Sequence, residues 1–107
     1  MIVPARLSFK VNYPLAKTEN YIHWKREDGE PFDPWIRTHW RLGAKIIKPF
    51  DNAFTVTDTV EQWEEWTGMH FPESGVYVIK GASQPVQIDL SHNVGVYNDP
   101  HVWMQYM

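Results

Sequence analysis

The sequence contains no cysteine, and its six glycines stand singly along the chain. The lack of cysteine excludes disulfide bonds, thiolate metal sites and a cysteine nucleophile, and it fits a reducing compartment such as the cytoplasm. Isolated glycines cannot build a glycine-rich loop that cradles phosphates. The motifs G-x-S-x-G and H-E-x-x-H and the P-loop are also missing. The sequence therefore carries none of the common local signatures of catalysis.

Long hydrophobic runs are missing as well. No apolar stretch approaches the ~18 residues that a bilayer span needs. The first ten residues, MIVPARLSFK, have neither the apolar core nor the cleavage site of a signal peptide. A chain of 107 residues with 43% hydrophobic and 15% aromatic residues is long enough to form one core. We expect a single domain over residues 1–107, located in the cytoplasm and without a membrane partner.

The charge is weakly acidic overall but unevenly distributed. The net charge is −3, and it divides into +4 over residues 1–50 and −7 over residues 51–107. The basic half is compatible with a phosphate-bearing ligand, or the two halves simply pair with each other or face water. No basic cluster is interleaved with aromatic residues, so we expect no nucleic-acid partner.

The five histidines are too widely separated for a local metal site, and we expect no metal cofactor. Each is more typical of a surface or partly buried imidazole. They are His23, His39, His70, His92 and His101.

The strongest local signal is a short helix within DPWIRTHWRLGAK, residues 33–45. Asp33 is suited to the N-cap, Pro34 to the first helical position, and Gly43 to a left-handed C-terminal residue. The spacing predicts a helix over 34–42 that turns Trp35 and Trp40 inward, followed by a strand over 44–47.

The remaining segments predict small elements joined by turns. We expect a helix over 19–26 capped by Thr18, and a helix from a capping box at Thr59–Gln62 to Gly68. Alternating residues predict the strands, with 54–59 forming a hairpin with 44–47. A short strand or an extended arm is expected at 7–11. Further strands are expected at 76–79, 86–90, 94–97 and 102–107, the last two separated by a turn at Asp99-Pro100. The fold class is therefore α+β, with short helices packed on a small, mostly antiparallel sheet.

Several side chains are candidates for chemistry, and each has a structural alternative. His39, beside the helical arginines, is suited to act as a general base or to hold a carboxylate, or it is simply packed. Glu64 and Glu65 beside Trp63 and Trp66 are suited to acid–base work, or they form a solvated acidic face. Three aromatic residues on predicted strands line either a pocket or the core: Tyr77, Tyr97 and Trp103.

The segment TENYIHWKREDGEPFDPWIRTHWRLGAKIIKPF resembles the C-terminal half of proteins in the GNAT acyltransferase superfamily. In those proteins a helix leads through a glycine turn into the last strand pair, and Leu42-Gly43-Ala44 stands at that place. The stretches DPWIRTHWRLGAKI, TVEQWEEWTGMHFPESGVYV and GVYNDPHVWM resemble one bacterial branch of the superfamily in particular. The glycine-rich Q/R-x-x-G-x-G/A loop, which binds the acyl-CoA pyrophosphate, is absent.

The resemblance implies an acceptor-side half of an acyl-CoA-dependent N-acyltransferase, inactive alone, which uses acetyl-CoA or another acyl-CoA only when the missing half is supplied. His39 and Tyr97 are then the candidate catalytic residues. The candidate binding residues for a small-molecule acceptor are Arg37, Arg41, Trp40 and Trp103. Arg37 and Arg41 share a helix face and have the bidentate geometry that suits carboxylates or CoA phosphates.

An incomplete sheet exposes strand edges, so we expect a homo-oligomer or a partner chain that completes it. The chain is then a separate subunit, a remnant that only binds, or part of a larger protein. The alternative function is a non-catalytic small-molecule or protein-binding module with an aromatic-lined pocket.

Overall fold

A computed structural model describes residues 1–106, except for the side chains of residues 51 and 52. Within this range short helices pack on one antiparallel sheet, which confirms the predicted α+β class. In chain order the elements are β1 (Ile2–Arg6), a 3-10 helix (Lys10–Asn12), α1 (Thr18–Tyr21), α2 (Pro34–Arg41), β2 (Ala44–Asp58), α3 (Val60–Thr67), β3 (Gly75–Tyr77), β4 (Val86–Asp89) and β5 (Val94–Tyr106).

The sheet is organised around the long strand β5. On one edge, β2 pairs with it from Ala44↔Tyr106 to Asp58↔Gly95. On the other edge, β1 pairs with residues 101–105 and β4 with residues 94–96. The edge of β5 between these two shorter strands is covered by the connection that precedes β4, as described below. β3 adds to the outer edge of β4.

The two hydrophobic clusters lie on opposite faces of this sheet. Because side chains alternate along a strand, Val102 and Met104 share one face of β5, and Gly95 and Tyr97 share the other. α1 and α2 cover the first face, where Tyr21 and other buried residues pack on Val102 and Met104. α3 covers the second face at the other end of β5, where Trp63 packs with Val86 and Ile88. The molecule is therefore long and thin, 46 × 28 × 18 Å.

Two predicted strand breaks are wrong. Segments 44–47 and 54–59 do not form a hairpin, because both belong to β2 and pair with β5. Residues 94–97 and 102–106 form one strand and not two; Met107 lies outside the described residues. Pro100 is tolerated inside β5 because no residue pairs with it. The pairing with β1 and with β4 does not reach Pro100, and on the side of β2 it lies opposite the irregular stretch between Phe50 and Phe54. Its missing N–H therefore removes no ladder hydrogen bond.

The helix caps are confirmed at α2 and α3 and wrong at α1. The Asp33 carboxylate accepts from the backbone N–H groups of Trp35 and Ile36, and the Thr59 hydroxyl accepts from that of Gln62. Gly43 and Gly68 have φ angles of 99° and 69°, as the left-handed helix ends require. α1 has only 4 residues. Lys17 stands at its N-cap position without a side-chain hydrogen bond, and Thr18 is buried inside the helix.

Three smaller strand predictions also need correction. The first strand covers Ile2–Arg6 and is followed by a 3-10 helix, where we predicted a short strand or an extended arm over 7–11. β3 ends at Tyr77, and β4 ends at Asp89, before Leu90.

The orientation of the two tryptophans of α2 is also wrong. Trp35 and Trp40 are 46% and 44% exposed, and Ile36 is the buried residue of this helix. Ile36 packs in the core, and the capping Asp33 bonds to the segment after β1 and to Tyr21 of α1, so the indole rings are left at the surface.

Candidate functional site

The candidate site is a row of polar side chains on the face of β5 that α1 and α2 leave uncovered. Tyr97, Asp99 and His101 alternate along β5 and therefore project from the same face. Trp103 continues the row and stacks on Phe50 of β2, with ring centroids 4.8 Å apart and an angle of 11° between the planes. A regular strand thus brings four functional groups into a line.

A continuous chain of hydrogen bonds connects this row. The backbone N–H of Ser83 donates to the Tyr97 hydroxyl at 3.1 Å. That hydroxyl donates to Oδ1 of Asp99 at 3.0 Å, and Oδ2 of Asp99 contacts Nε2 of His101 at 2.9 Å. A carboxylate accepts hydrogen bonds and does not donate them, so Nε2 of His101 carries the proton of this contact.

The second ring nitrogen of His101 has no partner. Nδ1 is buried and makes no hydrogen bond within the part of the chain that the structure describes. Since Nε2 carries the proton, Nδ1 of the neutral ring carries a lone pair. The ring of Phe54 meets the imidazole edge-on, with centroids 6.5 Å apart. His101 therefore has an oriented ring nitrogen that no group of the described chain uses. Because this atom is buried, a substrate can reach it as a base only when the neighbouring side chains move aside.

Tyr97 is suited to hold a proton and not to accept one. Burial raises the pKa of its phenol above the ordinary value of 10.0, and the hydrogen bond to Asp99 raises it further. The phenol is therefore protonated at neutral pH. Its hydroxyl orients Asp99, which in turn orients His101.

The predicted site residues divide between the two faces of the sheet. Tyr97 and Trp103 lie in the row, and the four residues of α2 lie on the opposite face, where Nδ1 of His39 meets the hydroxyl of Tyr106. Tyr97 and Tyr106 are nine positions apart in β5. At ~3.3 Å per residue this places His39 on the order of 30 Å from Tyr97. The structure therefore does not bring the two candidate catalytic residues together.

The arginines of α2 are engaged within the chain. Arg37 donates to the carbonyl oxygens of Pro31 and Phe32 at 3.2 and 3.3 Å. Arg41 pairs with Glu30 at 2.6 Å. Both guanidinium groups therefore reach the same segment before the helix, as their shared face predicts, and Trp40 is half exposed beside them.

The acidic residues of α3 also have structural contacts. Glu64 accepts from the backbone N–H of Phe71 at 3.0 Å and from His70 at 2.8 Å. These contacts lower the pKa of the Glu64 carboxyl. Glu65 is exposed and lies 3.5 Å from the side-chain amide of Gln62. Glu64 therefore joins α3 to the segment that follows it.

Asp99 and His101 were missed as site residues because Asn98-Asp99-Pro100 is typical of a turn. The available signal was the alternation Tyr97-x-Asp99-x-His101, which places three polar groups on one face only if the strand continues through Pro100.

Among the described residues, no three His, Asp or Glu side chains are grouped as metal ligands. No helix in the same part of the chain is long and apolar enough to cross a membrane.

Comparison with curated proteins relates this chain to a fungal enzyme, the arginine N-acetyltransferase avaD of Aspergillus versicolor. The alignment of the two sequences extends over 122 residues with 30% identity. It covers 97% of this chain and 42% of the relative. The chain is similar to an N-acetyltransferase. This supports an N-acetyltransferase-like relationship along almost the whole sequence, although the chain spans less than half of the relative's length. No family model and no solved structure matches it.

Proposed function

We propose that this chain is the acceptor-side part of an acyl-CoA-dependent N-acyltransferase. The observation that carries the proposal is the oriented His101–Asp99 pair, in a chain whose sequence is similar to an arginine N-acetyltransferase almost throughout. N-acylation forms a C–N bond and breaks the C–S bond of a thioester. The attacking amine loses a proton, and the departing CoA thiolate takes one up to leave as the free thiol. In this proposal His101 takes the proton of the amine.

Each residue of the row has a separate task in this proposal. Nδ1 of His101 accepts the proton of the amine, and Asp99 fixes the ring tautomer and stabilises the imidazolium that forms. Tyr97 holds Asp99 in place through its hydroxyl. The stacked rings of Trp103 and Phe50 form the apolar wall of the acceptor site.

The described residues do not fit the pyrophosphate of an acyl-CoA. The N-terminus of α2 is occupied by the Asp33 carboxylate and that of α3 by the Thr59 hydroxyl, and the glycines stand singly. An anionic ligand would meet the negative charge of Asp33 at the first of these ends. The acyl thioester must therefore be bound by other residues, in a second chain or segment.

We propose that the outer edge of β2 is where the sheet is completed. β2 has 15 residues and pairs only through its β5 side within the described part of the chain. A second copy of the chain or a cofactor-binding partner could add a strand there. Sedimentation of the isolated chain distinguishes the two: a dimer indicates the first, and a monomer that associates only with the partner indicates the second.

The function is tested in a chimera in which this chain replaces the matched segment of the fungal relative. We expect acetyl-CoA-dependent acetylation of arginine, measured by mass spectrometry. His101→Gln and Asp99→Asn should each lower the rate by about 10²-fold or more, as expected for loss of a general base. His92→Gln is the matched control, because His92 is exposed and pairs with Asp89 in the turn between β4 and β5. Full activity of the His101→Gln chimera would reject the proposed base.

The alternative is a binding module without catalysis, and one cavity supports it. A space of about 410 Å³ opens between the end of β1, the start of α2 and the connection before β4. Arg6, Trp35 and Ser83 contribute to its lining. Titration of the isolated chain with arginine, followed by NMR, separates the two functions. Shifts at His101 and Trp103 support the acceptor site, and shifts confined to Arg6 and Trp35 support the binding module.

A further inference from the structure

The structure contains a buried ammonium group at the back of the candidate site. Lys10, in the 3-10 helix, is completely buried although it is charged. Its Nζ donates to three backbone carbonyl oxygens, those of Tyr13 at 3.1 Å, Pro14 at 3.4 Å and Ser83 at 2.9 Å. An ammonium group has three N–H donors, so this arrangement satisfies all of them.

Burial of this side chain is unfavourable, because no carboxylate of the described residues neutralises the charge. Burial lowers the pKa of Lys10 for this reason. An isolated buried charge is retained only where the geometry compensates for the loss of water. The compensation here comes from the three carbonyl contacts, and the one to Ser83 joins two parts of the chain 73 residues apart.

The hydrogen bond to Ser83 connects Lys10 to the row of side chains on β5. Lys10 holds the carbonyl of Ser83, and the N–H of the same residue donates to the Tyr97 hydroxyl. Ser83 belongs to the connection that lies beside residues 97–100 of β5, where neither β1 nor β4 is paired with that strand. Without a ladder of backbone bonds at this place, side-chain contacts must hold the connection against β5.

We propose that Lys10 is a positioning residue of the acyltransferase site, which fixes Ser83 under Tyr97 and so orients Asp99 and His101. The inference rests on the proposed function for its catalytic meaning, but the geometry that it predicts is measurable without acyl-CoA. The order of contacts is Lys10, Ser83, Tyr97, Asp99, His101, and each member touches the next.

The test uses Lys10→Met in the isolated chain of 107 residues, since methionine keeps an unbranched side chain and removes all three donors. We expect the Ser83 amide to exchange with solvent about tenfold faster. We also expect the His101 ring, observed by proton–nitrogen NMR, to change from a single Nε2–H tautomer to a mixture of both tautomers. His70, which pairs with Glu64 on the far side of α3, should keep its signals.

Tyr97→Phe serves as the matched variant, because it breaks the same chain of contacts one step closer to His101. It should give the same mixture of tautomers, and adding Lys10→Met to it should change His101 no further. Wild-type Ser83 exchange and an unchanged His101 tautomer in a folded Lys10→Met protein would overturn the proposal, since Lys10 would then stabilise the fold without orienting the site.

Two further outcomes are decisive. If Lys10→Met does not fold, Lys10→Leu is measured by the same criteria; if neither variant folds, Lys10 is a requirement for folding and the positioning role is rejected. The proposed function can fail separately. An inactive chimera, combined with the expected NMR changes, would reject the acyltransferase and leave the role of Lys10 in orienting the row.

Discussion

Asp33 is the residue whose replacement should destabilise this fold most directly, although none of its hydrogen bonds goes to the candidate catalytic row. It is buried, with 1% of its surface exposed. Its two oxygens accept five hydrogen bonds from three different segments of chain. The donors are Ser8 Oγ at 3.2 Å, the Phe9 N–H at 3.1 Å, the Tyr21 hydroxyl at 2.5 Å, and the N–H groups of Trp35 at 2.9 Å and Ile36 at 3.1 Å.

The informative change is Asp33→Asn, which keeps the shape and replaces one acceptor oxygen by a donor. If the amide oxygen takes the place of Oδ1, the NH₂ group faces Phe9 and Tyr21. The Tyr21 hydroxyl can rotate and accept, but the Phe9 N–H cannot, so one buried donor meets another. The reverse orientation leaves the Ile36 N–H without an acceptor and the Trp35 N–H with only the Ser8 hydroxyl, 3.3 Å away. The first orientation is therefore the less unfavourable one.

The magnitude follows from these lost contacts. One hydrogen bond to a charged group contributes about 1.5–3 kcal/mol, and a buried donor left unpaired costs about 1–3 kcal/mol. We expect Asp33→Asn to lower the free energy of unfolding by about 3 kcal/mol. This is a large part of the ~5–15 kcal/mol that stabilises a typical domain.

The assay is urea unfolding followed by tryptophan fluorescence, with Asp28→Asn as the control. Asp28 is exposed, accepts from the Glu30 backbone N–H at 3.0 Å and lies 3.5 Å from Arg26. Asparagine keeps the acceptor oxygen and an exposed ion pair contributes little, so this replacement should change stability by less than about 0.5 kcal/mol. Tyr21→Phe completes a double-mutant cycle with Asp33→Asn. A loss below about 1 kcal/mol in Asp33→Asn, or strict additivity with Tyr21→Phe, would refute the view that Asp33 joins these segments.

Three other changes test the packing and the pH dependence. Gly95→Ala should lower stability by about 2 kcal/mol in urea unfolding, because its Cβ would lie 2.3 Å from the Trp63 ring; the same loss in a Trp63→Ala background would contradict the clash. Glu64 has a lowered pKa, from its bonds to the Phe71 N–H and His70, so its stabilisation is present above pH 4.5 and is lost as the pH falls through the lowered value. Melting temperatures between pH 3 and 7 should therefore converge for wild type and Glu64→Gln at the acid end, and a constant difference would exclude this linkage. Tyr97 has a raised pKa, so the folded protein keeps the phenol proton at a pH where the unfolded chain releases it, and the free energy of unfolding should fall above pH 10.0. Tyr97→Phe should show a smaller fall between pH 9 and 11 in urea unfolding. A fall equal to that of the wild type would show that Tyr97 is not the titrating group.

The features that the sequence predicts well are those decided within one turn of a helix. Asp33 and Gly43 enclose α2, and Thr59 and Gly68 enclose α3, because caps depend on residues three or four positions away. The same local reasoning did not predict the direction in which α2 faces. Trp35 and Trp40 are large and apolar, but the depth of a helix on a sheet is set by residues far away in the chain.

Strand length was the main feature that local sequence patterns did not predict. Pro100 indicates a turn when it is considered with its neighbours alone, and its place inside β5 depends on partner strands that are absent on both sides at that position. Whether a proline interrupts a strand is therefore a property of the pairing and not of the residue. The free edge that we predicted for the sheet is still a prediction with respect to any partner.

The two faces of β5 decide which candidate residues can act together. Tyr106 and Tyr97 are separated by an odd number of positions, so their side chains project from opposite faces of a regular strand. His39 contacts Tyr106, and it therefore belongs to the face that α1 and α2 cover. No side-chain rotation can carry it to Tyr97 through the sheet. A base that works with Tyr97 must come from the other face, and His101, joined to it through Asp99, is on that face.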